Sequence, residues 1–193
     1  LQFTDVYTRY SQCYLIKDRK EAADKLTHYL EFVCKPRNVK VEHIQHDNAP
    51  EYLGGAFAGL CRSKGIENIQ PSPYAHESSG LVERSWRTWH QMALAMLLTA
   101  DLPIEFWGAA MLHACFLKNR LPHKGLDTNK TPYEMWFKQK PDLKRLKVFG
   151  CTAFCILDND QRKPFAARAK KGIYIGNDAT SPSYLVYLPD ENK

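Results

Sequence analysis

Two stretches decide the fold: HIQHDNAPEY at residues 43–52 and SSGLVERSWRTWHQMALAM at residues 78–96. The first predicts a strand that ends at Asp47 and then turns into a helix. The second predicts a long helix with Glu83 near its start, because apolar residues recur at steps of three and four. A carboxylate at a strand end and another on a helix can together hold hard divalent cations through oxygen ligands.

The segments on either side predict alternating strands and helices. Residues 1–7 and 12–17 are rich in aromatic and β-branched residues and predict two strands joined by a polar turn. Asp18 and Glu21 form the pattern of a capping box, ahead of a helix that ends near Pro36. The other elements predicted before residue 123 are a strand at 39–46, a helix at 50–63 ended by Gly65, a strand at 66–70, a loop with Pro71 and Pro73, and a helix from Pro103 to Pro122.

The long helix carries one apolar stripe, and the chain after Pro141 changes character. The stripe is predicted to pack in the core and consists of Val82, Trp86, Trp89, Ala93 and Met96. After Pro141, the runs KVFGCTAFCIL, GIYIG and SYLVYL predict short strands of a small β-rich module. We therefore expect three parts, at residues 1–100, 101–142 and 143–193.

Composition limits the class of protein. The 193 residues are 44% hydrophobic and 25% charged, which is typical of a globular chain. The longest apolar stretches fall short of the roughly 18–20 residues that span a bilayer, so no membrane partner is expected. The six cysteines are scattered without zinc-binding spacing, and we expect reduced, structural thiols in an intracellular protein.

Positive charge is concentrated in one region. Residues 135–172 contain ten Lys and Arg but three Asp, although the whole chain has a net charge of only +6. Such a block indicates either a surface that faces phosphates or an ordinary soluble basic face. Phe149, Phe154, Phe165 and Tyr174 interleave these charges, and we interpret them first as the core of the module and second as base-stacking groups.

Five motifs together resemble those of copia-type retrotransposon integrases. HDNAPEY at 46–52 is similar to that family's "sDnGxEf", and residues 64–88 are similar to its "kGIxhxxsxPyxPqqNGvaERxNRt". Three further matches follow in order with natural spacing: LPIEFWGAAMLHACFLKNRLP at 102–122, TPYEMWFKQKPDLKRLKVFGC at 131–151 and KKGIYIG at 170–176. The resemblance therefore covers almost the whole chain.

The resemblance implies an α/β fold: an RNase H-like integrase core, a mixed sheet with flanking helices, followed by an SH3-like module. It implies an Asp-Asp-Glu triad that binds Mg²⁺ or Mn²⁺, in which Asp47 matches the second Asp and Glu83 matches the Glu. Residues 1–10 match a segment that follows the family's first catalytic strand, so Asp5 is not the first Asp. We expect that strand and its Asp upstream of Leu1, and we expect this fragment alone to be inactive.

This chain departs from the family's pattern at three positions. Ala49 replaces a Gly, Ser79 replaces an Asn, and Trp86 replaces the Asn three residues after Glu83. Gly80 is retained, where we expect backbone flexibility beside nucleic acid. Trp86 places a bulky indole where the family has a polar side chain, unless it joins the apolar stripe.

Basic and polar residues near the two carboxylates are the candidate DNA ligands. Arg87 and His90 share a helical face with Glu83, although a solvated face is the alternative for Arg84 and Arg87. His46 either contacts the substrate or supports the site. The full set of candidate DNA-binding residues is Asn48, Arg84, Arg87, His90, Lys144, Arg145, Lys147, Lys170 and Lys171.

The function expected from the resemblance is metal-dependent transfer of DNA strands. The partners would be the ends of the element DNA and the target DNA, with the full enzyme acting as a homo-oligomer in the nucleus or in a virus-like particle. A degenerate or domesticated copy that binds DNA or protein without catalysis is the alternative. A general RNase H-like nuclease shares the chemistry but leaves the motifs after residue 102 unexplained.

Overall fold

The structure is a computed structural model. The residues that it describes are 1–47, 49–69, 76–126, 129–158, 160, 162, 165–178, 181 and 183–191, without the side chains of 76–79. Asn48, Lys163 and the loop that carries Pro71 and Pro73 therefore lie outside the described residues.

The chain begins with a short antiparallel hairpin. Strand β1 (Gln2–Thr4) pairs with β2 (Ser11–Cys13), and Thr4 lies opposite Ser11. In the connecting turn, the Asp5 carboxylate accepts hydrogen bonds from the backbone N–H and the hydroxyl of Thr8, at 2.7 and 2.5 Å. The predicted hairpin is confirmed, with shorter strands, because this tight turn begins at Asp5.

The first helix follows the predicted capping box. Asp18 and Glu21 cap each other's backbone N–H groups around the 3₁₀ turn Arg19–Glu21. Helix α1 (Ala22–His28) then continues as a π-helical segment, Tyr29–Cys34. The helical run ends at Asn38, whose left-handed backbone (φ 54°) terminates the 3₁₀ turn Lys35–Arg37.

A parallel strand pair forms the next layer. Strands β3 (His43–Gln45) and β4 (Glu67–Ile69) are connected by helices α2 (Pro50–Leu53) and α3 (Gly55–Lys64). The single helix predicted at 50–63 is divided because Gly54 is extended (φ −143°). Gly65 ends α3 in the left-handed conformation, as expected.

Two long helices and a short one follow. Helix α4 (His76–Thr99) packs against α5 (Trp107–Lys118), which a 3₁₀ turn at Ile104–Phe106 precedes. Helix α6 (Pro132–Phe137) begins at Thr131, whose hydroxyl accepts from the N–H of Glu134. The sequence did not predict α6, because six residues are too few to show helical periodicity.

The apolar stripe on α4 is only partly buried. Trp89 and Ala93 lie in the core, and Met96 packs against it. Val82 and Trp86 remain 41% and 43% exposed, so the prediction that Trp86 packs in the core was wrong. The reason is that α4 contacts β1 through Ser85. Trp86 is the next residue and is rotated by about 100° from Ser85 around the helix, so its side chain points away from this contact.

The C-terminal strands are confirmed as one antiparallel sheet. Strand β6 (Ala169–Asn177) lies between β5 (Thr152–Ile156) and β7 (Tyr184–Tyr187). A bulge interrupts the β6–β7 ladder between Tyr174 and Gly176. The expected domain boundaries near residues 100 and 142 stay a prediction. One core cluster contains Trp89, Ala110 and Phe149, which come from the three expected parts of the chain.

A second core cluster lies beneath the two small sheets. Phe3 of β1 and Ile44 of β3 both pack against this cluster, whose buried residues include Leu26, Phe57 and Cys61. In the described part of the chain, no ladder joins β1 to β3, which belong to separate two-stranded sheets. The six cysteines are free thiols, and the structural role expected of them fits the burial of Cys13, Cys34, Cys61 and Cys115.

Candidate functional site

Asp47 lies just beyond the carboxyl end of β3 with its side chain exposed. The neighbouring His46 fixes this end of the strand through both ring nitrogens. Its Nε2 lies 2.7 Å from Oδ1 of Asn68, and its Nδ1 is hydrogen-bonded to the carbonyl of Asp47. Of the two roles considered for His46, these contacts favour support of the site.

Asn68 and Tyr52 complete this support, and the sequence analysis did not identify either. The Asn68 amide donates to the carbonyl of Tyr52 at 2.8 Å, which ties β4 to α2. The Tyr52 ring lies 5.0 Å from the His46 ring. Burial and the nearby Asp47 carboxylate raise the pKa of Tyr52, so this phenol keeps its proton at neutral pH. The only sequence signal for Asn68 was its polar side chain at an inward-facing position of β4.

Glu83, Arg87 and His90 lie exposed along one side of α4. Steps of four and three residues keep them within about 60° of one another around the helix. The expectation of a shared face is therefore met in geometry, whereas their contacts with DNA stay a prediction.

Arg84 projects from a different part of α4. Its guanidinium folds over Gly80, and a Cβ at Gly80 would lie 2.9 Å from Nη1 of Arg84. Because Nη1 is the far end of an exposed and flexible side chain, Arg84 can move aside for a larger residue, and this contact by itself does not require glycine at position 80.

The two carboxylates suit a hard divalent cation in their chemistry. Asp47 and Glu83 offer exposed oxygen ligands, which Mg²⁺ and Mn²⁺ prefer. Among the residues that the structure describes, no group of three or more His, Cys, Asp or Glu could hold a metal. The donor type thus fits the expected ion, and the candidate set within this chain is a pair.

The basic residues of the C-terminal region divide into two groups. Lys144, Lys147 and Lys171 are exposed, and Lys171 lies opposite Phe154 on the β5–β6 ladder. Lys170 forms an ion pair with Glu191, and the Arg145 guanidinium lies over the Tyr184 ring, 5.7 Å from its centroid. The first group is the better candidate for phosphate contacts.

The aromatic residues of this region also divide. Phe149 and Tyr174 are buried, as the core interpretation expected. Phe154 and Phe165 are exposed by 68% and 111%, so that interpretation was wrong for them. For Phe154 the reason is strand alternation, because Thr152, Phe154 and Ile156 share the outward face of β5.

His113 is a buried residue that no sequence pattern distinguished from its apolar neighbours. Its ring lies among the rings of Phe116, Phe149 and Tyr174, at centroid distances of 5.8, 5.7 and 5.6 Å. Neither ring nitrogen has a hydrogen-bond partner in the described structure. Burial, and secondarily Arg120, lower the pKa of His113 to about 4. We therefore describe His113 as a neutral core residue.

No helix in the described part of the chain is long and apolar enough to cross a membrane.

Comparison with known proteins reveals relatives along the whole chain. Residues 151–193 match the family model "Retroviral polymerase SH3-like domain". The "Retrovirus-related Pol polyprotein from transposon TNT 1-94" of Nicotiana tabacum is 29% identical over 191 residues. That alignment covers 99% of this chain but only 14% of the polyprotein, so the chain spans about one-seventh of its relative's length.

Solved structures share the fold. The integrase catalytic core domain of HTLV-2, solved with magnesium, has a TM-score of 0.53 at 20% identity and covers 70% of this chain and 82% of that domain. A chain of the simian T-cell lymphotropic virus intasome, solved in complex with PP2A regulatory subunit B56 gamma, has a TM-score of 0.55, also at 20% identity, covering 97% of this chain and 65% of that one. The expected fold class, a mixed α/β integrase-type core followed by an SH3-like module, is confirmed.

Proposed function

We propose that this chain, whose homologues are copia-type retrovirus-related Pol polyproteins of plant transposons, is part of an integrase that transfers DNA strands with divalent metal ions. One observation carries the proposal. In an integrase-type fold, Asp47 is exposed at the end of β3, and Glu83 is exposed on α4. These are a strand end and a helix, the two kinds of position on which the expected carboxylates should lie.

Each residue of the candidate site has a proposed task. Asp47 and Glu83 would hold Mg²⁺ or Mn²⁺, and such ions, when bound, activate an attacking hydroxyl and stabilise the leaving oxygen of a phosphodiester. Arg87 and His90 would bind phosphates beside Glu83. His46 would keep Asp47 in place through its bond to Asn68, at 2.7 Å.

A third carboxylate would come from a further strand between β1 and β3. The Leu1 and Tyr14 backbones exchange two hydrogen bonds, so the N–H and C=O of Gln2 point away from β2. Beside β3, the backbone carbonyl of Glu42 accepts from the N–H of Glu67 on β4. The N–H and C=O of the next residue, His43, therefore point toward the opposite edge of β3. Both edges belong to strands that pack on the same core, which supports the insertion of one strand. The resemblance assigns the first Asp to such a strand, so we propose that this chain alone is inactive.

The exposed lysines of the C-terminal region would bind DNA without sequence preference. Lys144, Lys147 and Lys171 are suited to phosphate contacts, whose strength falls as salt concentration rises. We further propose that the full enzyme holds two DNA ends as a multimer, in the nucleus or in a virus-like particle. Two structural neighbours support a multimer, because one was solved in a trimeric form and the other as an intasome.

The test is strand transfer by a longer chain that restores the proposed strand and its Asp. Asp47→Asn and Glu83→Gln should each abolish transfer in both Mg²⁺ and Mn²⁺. Asp24→Asn and Glu105→Gln are matched controls, because both replace exposed carboxylates on other elements and should leave transfer intact. Loss in the first pair alone would support both the function and the two site residues.

A non-catalytic DNA-binding module is the second candidate function. It is favoured by Trp86, an exposed indole where the family resemblance expects an asparagine. A longer chain that is folded, supplied with metal and bound to DNA, yet transfers no strand, would support this candidate and contradict the first.

A further inference from the structure

Two of the four tryptophans remain exposed. Trp89 and Trp136 are buried, at 1% and 7% exposure, whereas Trp86 and Trp107 are 43% and 51% exposed. Tryptophan is the side chain with the largest apolar area to bury, so an exposed indole beside a candidate site has a cost in the free protein. A ligand that covers the ring would remove that cost.

The surroundings of Trp86 are charged. Around the axis of α4, Glu83 and His90 lie within about 60° of Trp86, and Arg87 lies about 100° away. All three are exposed. The indole thus stands beside the carboxylate proposed to hold metal, and Arg87, a cation that can bind a phosphate, lies on the adjoining side of the helix.

These charges argue against a protein partner for this face. Charged residues are depleted at the centres of protein interfaces. Val82, one turn before Trp86, is an exposed apolar neighbour. In the other direction, the next exposed apolar residue of α4 is Leu94, about 12 Å from Trp86 along the helix axis. A nucleotide offers instead a flat ring for the indole and a phosphate for Arg87.

We infer that Trp86 stacks on an unpaired base at the end of a DNA strand bound beside Glu83. The inference rests on the proposed function and adds the recognition of an unpaired end. Bases within a duplex are covered by their neighbours, whereas an unpaired base has a free face for an aromatic ring. Trp86 would therefore distinguish a frayed or single-stranded end from a fully paired one.

The test compares the affinity of this chain for two fluorescent DNA duplexes of the same sequence. One duplex is blunt, and the other ends in a few unpaired nucleotides. Fluorescence anisotropy at one fixed salt concentration should show tighter binding of the second. Trp86→Ala should weaken binding of that duplex about tenfold and leave binding of the blunt duplex unchanged. Trp86→Phe should retain most of the preference, because it keeps a stacking ring.

Trp107→Ala is the matched control, since Trp107 is similarly exposed but lies on α5. It should change neither affinity, and the thermal melt of each variant should show that it is folded. An equal loss on both duplexes, or a preference that survives Trp86→Ala, would overturn the stacking. A concentration-dependent dimer that Trp86→Ala dissociates would assign the ring to a second copy instead. If the folded chain binds neither duplex, the stacking inference fails, whereas the proposed function is still decided by strand transfer in the longer chain.

Discussion

The central core and the carboxylate edge of this molecule are held in different ways. The central core is the cluster around Trp89, Ala110 and Phe149, which joins α4, α5 and the C-terminal sheet through buried apolar contacts. The carboxylate edge is Asp47 with His46, Tyr52 and Asn68, and it is held by a few hydrogen bonds at the end of a two-stranded sheet. Close packing therefore supports the first region, and polar contacts near solvent support the second.

This difference separates stability from chemistry. A packed core resists a change of even one methyl group, whereas exposed carboxylates must stay open to metal and DNA. We expect substitutions in the central core to reduce stability strongly. We expect substitutions at the carboxylate edge to affect function more than folding. Four substitutions test this contrast, from the largest effect to the smallest.

The largest effect is expected for Gly150→Ala, at the contact between α4 and the C-terminal sheet. A Cβ at Gly150 would lie 2.2 Å from Cβ of Ala100, and the backbone there has φ of +84°. Overpacking and backbone strain together should cost about 4 kcal/mol, measured by urea unfolding. Gly54→Ala is the control, because a Cβ there meets nothing within 4 Å, and its φ of −143° is open to any residue. Equal losses from the two substitutions would show that this contact is not tightly packed.

The second prediction concerns acid and His113. Because burial lowers its pKa from 6.5 to about 4, the folded state resists a proton that the unfolded state accepts. Stability is therefore independent of His113 above pH 6.5, falls as pH decreases below 6.5, and loses nothing further below about pH 4. The loss should approach about 3 kcal/mol. His113→Phe should flatten this part of the pH profile of unfolding. An unchanged profile in that variant would mean that His113 is not the group responsible.

The third prediction tests how β2 is attached to α5. Asn119 is buried, accepts from the Ser11 N–H at 3.0 Å, and donates to the Ser11 carbonyl at 2.7 Å. Asn119→Ala would leave both backbone groups without this partner and should cost about 2 kcal/mol in unfolding free energy. Gln91→Ala on the exposed side of α4 should cost less than about 0.5 kcal/mol. A comparable loss from both would show that the amide contributes little.

The sequence predicted the elements better than their contacts. Helical periodicity found α4 and α5, and alternation found the C-terminal strands, since these patterns depend on which residues are buried. It failed for Trp86, because the burial of a residue at the border of a helical face depends on what packs there. It also missed Asn68 and Tyr52, which support Asp47 through contacts between β4 and α2. Such contacts arise from tertiary structure and leave no local pattern.

The smallest effect on stability is expected for Asn68→Ala at the carboxylate edge. The substitution removes the contact with His46 at 2.7 Å and the hydrogen bond to the Tyr52 carbonyl at 2.8 Å. Both groups lie only partly buried, so water can replace the lost partner, and the cost should be about 1 kcal/mol or less. In the longer chain that restores the proposed strand, however, strand transfer should fall at least about tenfold, because His46 would no longer hold Asp47 in position. A stability loss as large as that of Asn119→Ala, with transfer unchanged, would reverse the contrast and make this edge part of the folding core.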